Sequence, residues 1–92
     1  IQVLKDMPKL KELDLGDNEF TDLESLCSVL PSSLQVLNLG DNQLSCTQEG
    51  YSKLCGLRNI RELDLSRNTL TSSPNCLGNL SRLRTLELSN NQ

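Results

Sequence analysis

With 92 residues the chain is long enough for one domain and too short for two, and only 2% of its residues are aromatic. Its core must therefore be built from aliphatic side chains rather than from large rings. A net charge of −3 argues against the basic surface that binds nucleic acid or an anionic membrane, so neither is expected as a partner of this segment. No apolar run approaches the roughly 18 residues that cross a bilayer.

A motif of the form LxxLxLxxNxL occurs four times along the chain. Its starts are 24, 26 and 23 residues apart, which indicates one structural unit per motif. The copies are LKELDLGDNEF from Leu10, LQVLNLGDNQL from Leu34, IRELDLSRNTL from Ile60 and LRTLELSNNQ from Leu83. We therefore divide the chain into the end of a preceding repeat at 1–9, repeats at 10–33, 34–59 and 60–82, and a truncated repeat at 83–92.

The alternation of leucine with polar residues inside each motif has a period of two, which predicts a short strand with one apolar face. Strands that recur in the same direction, each followed by a return path, predict a parallel sheet with one strand per turn. The leucines expected to be buried are Leu13, Leu15, Leu37, Leu39, Leu63, Leu65, Leu86 and Leu88.

An asparagine follows each strand at the point where the chain turns inward. A side-chain amide there can bond backbone groups of its own turn and of the adjacent turn. We interpret these residues as a structural ladder made of Asn18, Asn42, Asn68 and Asn91.

The return segments carry apolar residues at a spacing of three, which suits a 3₁₀ or short helical turn packed on the sheet. These residues are Leu4, Met7 and Leu10, then Leu54, Leu57 and Ile60, then Leu77, Leu80 and Leu83. Because residues 1–9 look like the back half of a turn and the chain stops inside a strand motif, we expect a piece of a longer solenoid. Its outer turns should unfold more easily than the central ones when the neighbouring turns are missing.

This pattern resembles the leucine-rich-repeat superfamily over essentially the whole chain. The stretch from Lys53 is further similar to the ectodomain repeats of plant receptor-like proteins and receptor kinases. There, a Cys-x-Leu segment precedes LxELDLSxNxL, followed by Pro, Cys-Leu and Asn-Leu-Ser. The elements carrying this likeness are Cys55 and Leu57, the motif 60–70, then Pro74, Cys76, Leu77, and the triplet 79–81. The plant pattern has Gly after the Leu-Thr pair and Ile-Pro three residues later, whereas the segment 70–74 lacks the Gly and is one residue shorter, and the first two turns lack the Gly-x-Ile-Pro element.

The resemblance implies an α/β solenoid, a right-handed superhelix with a parallel β-sheet on its concave face. The convex face would carry short 3₁₀, helical or irregular segments. Function would then lie on the outward columns of the sheet, since a curved parallel sheet offers an extended surface to a protein or peptide.

No two of the four cysteines are spaced as Cys-x-x-Cys, which argues against a zinc site. Cys55 and Cys76 flank equivalent return-path leucines of successive turns, and adjacent turns stack about 5 Å apart. We therefore favour a disulfide between Cys55 and Cys76, which leaves Cys27 and Cys46. Other connectivities, or four buried thiols, remain as alternatives.

Catalysis is not expected, because a chain without histidine has no Ser-His or Cys-His nucleophile pair and no histidine metal ligand. No cofactor is expected either. A carboxylate cluster that binds a cation is an alternative use of the aspartates. Their even repetition instead predicts columns that pair with Lys11, Arg61 and Arg84 in mixed-charge ladders.

The triplet Asn79-Leu80-Ser81 is an N-glycosylation acceptor sequence, with Leu80 in the core stripe and Asn79 facing outward. About one such triplet is expected by chance in a chain so rich in Asn, Ser and Thr. Its agreement with the plant-like run and with the cysteines favours an extracellular location.

The candidate binding residues of the concave face carry no Trp or Tyr, although interface hot spots are often aromatic. They are Lys11, Glu12, Asp14, Asp17, Gln35, Val36, Asn38, Asp41, Arg61, Glu62, Asp64, Arg67, Arg84, Thr85, Glu87 and Asn90. The preferred hypothesis is a receptor ectodomain that binds a protein or peptide ligand, with a co-receptor as a further partner. A cytosolic interaction protein and a repeat-type enzyme inhibitor are the alternatives.

Overall fold

The computed structural model describes residues 7–71 and 75–91. Short elements alternate along the chain, as expected for a solenoid with one strand per turn. The strands are β1 (Glu12–Asp14), β2 (Val36–Asn38), β3 (Glu62–Asp64) and β4 (Thr85–Glu87). The return segments contain helix α1 (Leu23–Cys27), helix α2 (Tyr51–Cys55) and a 3₁₀ helix (Leu77–Asn79). Leu4 of the predicted apolar stripe and Pro74 of the plant-like motif lie outside the described residues.

The four strands form one parallel sheet in the order β1-β2-β3-β4, which confirms the predicted fold. The register aligns equivalent motif positions, so that Leu13, Leu37, Leu63 and Leu86 stand opposite one another. Because the side-chain period of a strand is two, this register places all the inward leucines on one face and all the polar strand residues on the other.

Burial of the strand leucines depends on their position in the stack. Leu37, Leu39, Leu63 and Leu65 of the two central strands are buried, each with at most 1% of its surface exposed. The corresponding leucines of β1 and β4 are only partly buried against the same core: Leu13, Leu15, Leu86 and Leu88. The prediction that all eight would be buried is therefore right for the centre and too strong for the outer strands, because only a central turn is covered on both sides.

The helices pack their apolar side chains against the inner face of the sheet. Leu54, Leu57 and Ile60 are buried as predicted, whereas Met7 is 43% exposed because nothing in the described structure covers it. Helix α1 begins after Asp22, whose side chain accepts a hydrogen bond from the Ser25 N–H as an N-cap.

The Asn42 side chain joins two turns of the solenoid. Its Nδ2 group is directed at the carbonyl oxygens of Leu39 (3.0 Å) and Gly40 (3.2 Å) in its own turn and of Leu15 (3.1 Å) in the preceding turn. Its Oδ1 atom accepts a hydrogen bond from the Phe20 N–H at 3.2 Å. One buried amide thus satisfies backbone groups that would otherwise lack partners.

The same arrangement repeats on the following turns. Asn68 Oδ1 accepts from the Leu44 N–H at 3.0 Å, and Asn91 Oδ1 accepts from the Leu70 N–H at 3.1 Å. Both amides also donate to carbonyls of their own and the preceding turn. Asn18 is exposed, and within the described residues its amide bonds only to its own turn. The ladder is therefore complete at three of its four predicted positions.

We expect Asn42→Ala to lower the free energy of unfolding by about 1 to 3 kcal/mol, because it leaves buried backbone groups without partners. Gln43→Ala, one residue away and exposed, is the matched control and should change it by less than about 0.5 kcal/mol. Urea unfolding of both variants measures the difference. Equal losses would contradict a ladder that joins the turns.

Candidate functional site

The polar faces of the four strands form a continuous surface, which we call the outer sheet face. The register arranges its strand residues in two rows that cross the sheet. The first row is Glu12, Val36, Glu62 and Thr85, and the second row is Asp14, Asn38, Asp64 and Glu87. All eight side chains are exposed or half-buried, whereas the leucines between them point into the core.

A third column, which we call the edge column, lies just before the strands. It consists of Lys11, Gln35, Arg61 and Arg84, and its backbone groups are bonded from turn to turn. The Gln35 N–H donates to the Lys11 carbonyl at 2.7 Å, the Arg61 N–H to the Gln35 carbonyl at 2.7 Å, and the Arg84 N–H to the Arg61 carbonyl at 2.8 Å. This ladder holds the four side chains at the same edge of the outer sheet face.

The second row has a role in the turns that sequence reasoning missed. The Asp14 Oδ1 atom accepts from the Gly16 N–H, and Asn38 Oδ1 accepts from the Gly40 N–H, both at 2.9 Å. Asp64 Oδ1 accepts from the N–H of the Ser two residues later, also at 2.9 Å. An Asp or Asn two residues before Gly or Ser at the end of a strand is the signal of an Asx turn, and it is visible in the motif.

The predicted mixed-charge ladders are not formed. Among the described residues the ion pair present is Arg67–Asp41, with Nη1 and Oδ2 3.3 Å apart, and Lys11, Arg61 and Arg84 take no part in one. The reason is directional, since the second-row carboxylates turn toward the backbone at the carboxyl end of each strand. The edge column lies at the opposite end.

The residue after the second-row turn adopts a left-handed backbone conformation in every repeat. Asp17, Asp41, Arg67 and Asn90 have φ angles of 58°, 55°, 56° and 60°. Asp and Asn tolerate this region better than other side chains with a Cβ atom, so Arg67 is the strained member of the set. These four predicted binding residues therefore also shape the bend that follows each strand.

Two shallow depressions adjoin one another on the outer sheet face. The first, of about 390 Å³, is lined by Gln35, Val36, Arg61, Glu62, Arg84 and Thr85. The second, of about 210 Å³, has Leu37 and Leu63 in its lining together with Val36, Asn38, Glu62, Asp64, Thr85 and Glu87. The first therefore joins the edge column to the first row, and the second joins the two rows.

The cysteines lie away from this face, on the return segments. Cys55 at the end of α2 and Cys76 before the 3₁₀ helix form a disulfide, with Cα atoms 6.2 Å apart. Cys27 and Cys46 are free thiols. Burial raises the pKa of Cys27 to about 12. The pKa of Cys46 is also raised, mainly by burial and to a smaller extent by the negative charge of the nearby Glu24 carboxylate. Both thiols stay protonated near neutral pH, so they are weak nucleophiles and metal ligands.

Asn79 ends the 3₁₀ helix, and its side chain is exposed, as is that of Ser81. Leu80 between them is buried, with 3% of its surface exposed. The acceptor sequence therefore presents its asparagine to solvent on the return side, away from the outer sheet face.

Within residues 7–71 and 75–91, no three carboxylate, thiol or imidazole groups converge to hold a metal ion. The aspartates of the outer sheet face thus form columns rather than a cluster. In the same part of the chain, no helix has the length and apolar character needed to cross a membrane.

Sequence models of leucine-rich repeats match residues 8–49, as two copies of the repeat, and residues 52–92. The chain belongs to the leucine-rich-repeat family. Its repeats thus form a protein-interaction scaffold, in which the parallel sheet and the asparagine ladder are the shared framework.

The chain is similar to receptor-like proteins of Arabidopsis thaliana. Receptor-like protein 1 is 69% identical over 51 residues, which are 55% of this chain and 5% of that protein. Receptor-like protein 32 is 40% identical over 93 residues, which cover 94% of this chain and 10% of that protein. The chain therefore spans a small part of the length of these curated relatives.

A solved structure with a similar fold is an internalin from Listeria monocytogenes. It superposes with a TM-score of 0.77 at 33% sequence identity, over 98% of this chain and 25% of the internalin chain. This likeness agrees with the solenoid described above.

We expect the free energy of unfolding to depend on whether the side chain at position 67 tolerates a positive φ angle. Arg67→Asn should leave the free energy of unfolding within about 0.5 kcal/mol of the original, because Asn tolerates a positive φ and the exposed ion pair with Asp41 contributes little. Arg67→Val should lower it by about 1 to 2 kcal/mol, since a branched Cβ is strained in this region. Both variants lose the ion pair, so their difference in urea unfolding reports the backbone conformation, and its absence would contradict this account.

Proposed function

We propose that this chain is part of an extracellular leucine-rich-repeat receptor ectodomain that binds a protein or peptide ligand in signalling or defence, and that it acts by binding rather than by catalysis. The observation that carries the proposal is the outer sheet face. It joins eight accessible strand side chains to an edge column whose cations form no ion pair within the described residues.

The rigidity of this face favours a binding role. Each of its strands is bonded to its neighbours, and the turn after each central strand is closed by a buried asparagine. A partner that docks there does not have to order the backbone, which lowers the entropic cost of association. Charged side chains at fixed spacings then supply selectivity and fast encounter.

Three observations support an extracellular location. The first is the disulfide between Cys55 and Cys76, since disulfides persist in oxidising compartments. The second is the exposed acceptor asparagine, Asn79, on the return side, where a glycan would leave the outer sheet face free. The third is the similarity to Arabidopsis receptor-like proteins, which also suggests a co-receptor as a second partner.

The binding face is tested by photo-crosslinking from two exposed positions in the full protein. A photoreactive side chain at Thr85, on the outer sheet face, should crosslink to a protein or peptide partner in the native setting. The same group at Ser52, exposed on helix α2, is the matched control and should give much less product, because it lies on the return side. Crosslinks that arise mainly from Ser52, or from neither position, would contradict the proposal.

The location is tested by counting thiols and glycans on native material. By peptide mapping of residues 1–92, we expect two reactive thiols after unfolding without reductant, at Cys27 and Cys46, and four after reduction. We also expect an N-linked glycan that disappears in Asn79→Gln. Four thiols before reduction together with no glycan would place the protein in a reducing compartment and favour the cytosolic alternative.

A further inference from the structure

Arg61 and Arg84 are neighbouring cations on the outer sheet face. They occupy the same motif position in successive turns, and the Arg84 N–H donates to the Arg61 carbonyl at 2.8 Å. Strands bonded in this way lie about 4.8 Å apart, so the two side chains leave the backbone side by side. Both are exposed.

Neither arginine forms an ion pair with any residue that the structure describes. The ion pair found among the described residues is on the other side of the face, between Arg67 and Asp41. Glu62 lines the same depression as both arginines, but it forms no ion pair with either of them in the described structure. Asp64 and Glu87 are held in part by the turns, since Asp64 accepts from Ser66 and Glu87 accepts from the Ser89 hydroxyl. Two unpaired guanidinium groups beside each other repel, and a carboxylate placed between them removes that repulsion with charge-assisted hydrogen bonds.

The depression next to the arginines has the opposite charge. Glu62, Asp64 and Glu87 line it. Asp64 Oδ2 and Glu87 Oε2 remain without a hydrogen-bond partner in the described structure, because only the other oxygen of each carboxylate is bonded. Because Glu62, Asp64 and Glu87 are spread over two strands and two rows of the face, they suit a long organic cation such as a lysine or arginine side chain. Asp64 is three positions after Arg61, which is roughly 10 Å along a strand.

We propose that the two depressions together bind an extended segment of the partner protein. An acidic side chain would sit between Arg61 and Arg84, and a Lys or Arg two residues later would reach Asp64 and Glu87. Residues two apart in an extended chain point to the same side and lie about 7 Å apart, and the length of the basic side chain spans the rest. This inference rests on the proposed function and names the chemistry of the partner, an Asp/Glu-x-Lys/Arg pattern.

A displayed library of random twelve-residue peptides, selected on the full protein, tests the pattern. We expect enrichment of an acidic residue two positions before a basic one. Selection on the double variant Arg61→Gln and Arg84→Gln should lose the acidic preference and keep the basic one. Arg82→Gln is the matched control, because this arginine donates to Asn59 outside the two depressions, and it should leave the pattern unchanged.

The selected peptides then give a quantitative test. The double variant should bind the most enriched peptide at least tenfold more weakly, and Glu→Gln in the peptide should cause the same loss with no further loss when the two changes are combined. Enrichment of peptides without the acidic-basic pattern, or a pattern that the double variant leaves intact, would overturn the inference. Inorganic sulfate that binds as tightly as the peptide would also overturn it, since the arginines would then form a free-anion site only.

The two proposals fail in distinguishable ways. If the selected peptides bind the outer sheet face, as judged by their loss on Val36→Arg, but ignore the two arginines, only this inference falls. If neither peptide selection nor crosslinking from Thr85 reports binding at the outer sheet face, the proposed function falls with it. Unchanged thermal unfolding of Arg61→Gln/Arg84→Gln, expected because both side chains are exposed, separates lost binding from lost folding.

Discussion

The hydrogen bonds of the buried asparagines are the constraint on which the rest of this solenoid depends. A chain that turns sharply after every three-residue strand leaves backbone groups inside the structure with no helix or sheet to pair them. Asn42 and Asn68 pair these groups and connect each turn to the one before it. An apolar residue at either position would fill the space but would leave the buried groups unpaired, which costs more than the packing gains.

This ladder also explains how the core and the binding face share one short strand. With the turns bonded at their ends, each strand keeps its register, and the alternation of side chains assigns one set to each face. Leu37 and Leu63 stabilise the stack from inside, while Val36 and Glu62 remain available outside. Stability and recognition therefore depend on different residues of the same strand, so a change on the outer sheet face can alter binding with little effect on folding.

The electrostatics of the outer sheet face follow from the turns rather than from pairing between charges. Asp64 bonds to the backbone and hydroxyl of Ser66, which holds its carboxylate at the carboxyl end of the strand. At the other end of the strands, Arg61 and Arg84 form no ion pair with the described residues. The face thus presents separated positive and negative groups to a partner. Such an arrangement costs little stability at exposed positions and contributes mainly to selectivity and rate of binding.

The sequence by itself determined the parallel sheet, the inward leucines and the asparagine positions, because these follow from periodicity and from the backbone's need for partners. It also indicated the disulfide between Cys55 and Cys76, since equivalent positions of successive turns are neighbours. The Asx turns were visible in the motif, as Asp or Asn two residues before Gly or Ser. The rule that neighbouring opposite charges pair predicts charge ladders instead, and it fails here because the second-row carboxylates bond to the backbone of the turns.

Tertiary structure alone decided the properties that depend on what surrounds a residue. Tyr51 is fully buried in the core, although nothing in its local sequence separates it from a surface tyrosine. Leu13 and Leu86 are less buried than Leu37 and Leu63 despite identical motif positions. The reason is that a leucine is covered by the turns on both sides of it, and the outer strands have a neighbouring turn on one side. That Arg61 and Arg84 form no ion pair with the described residues likewise depends on where each side chain is directed, since a strand pattern gives spacing but not side-chain orientation.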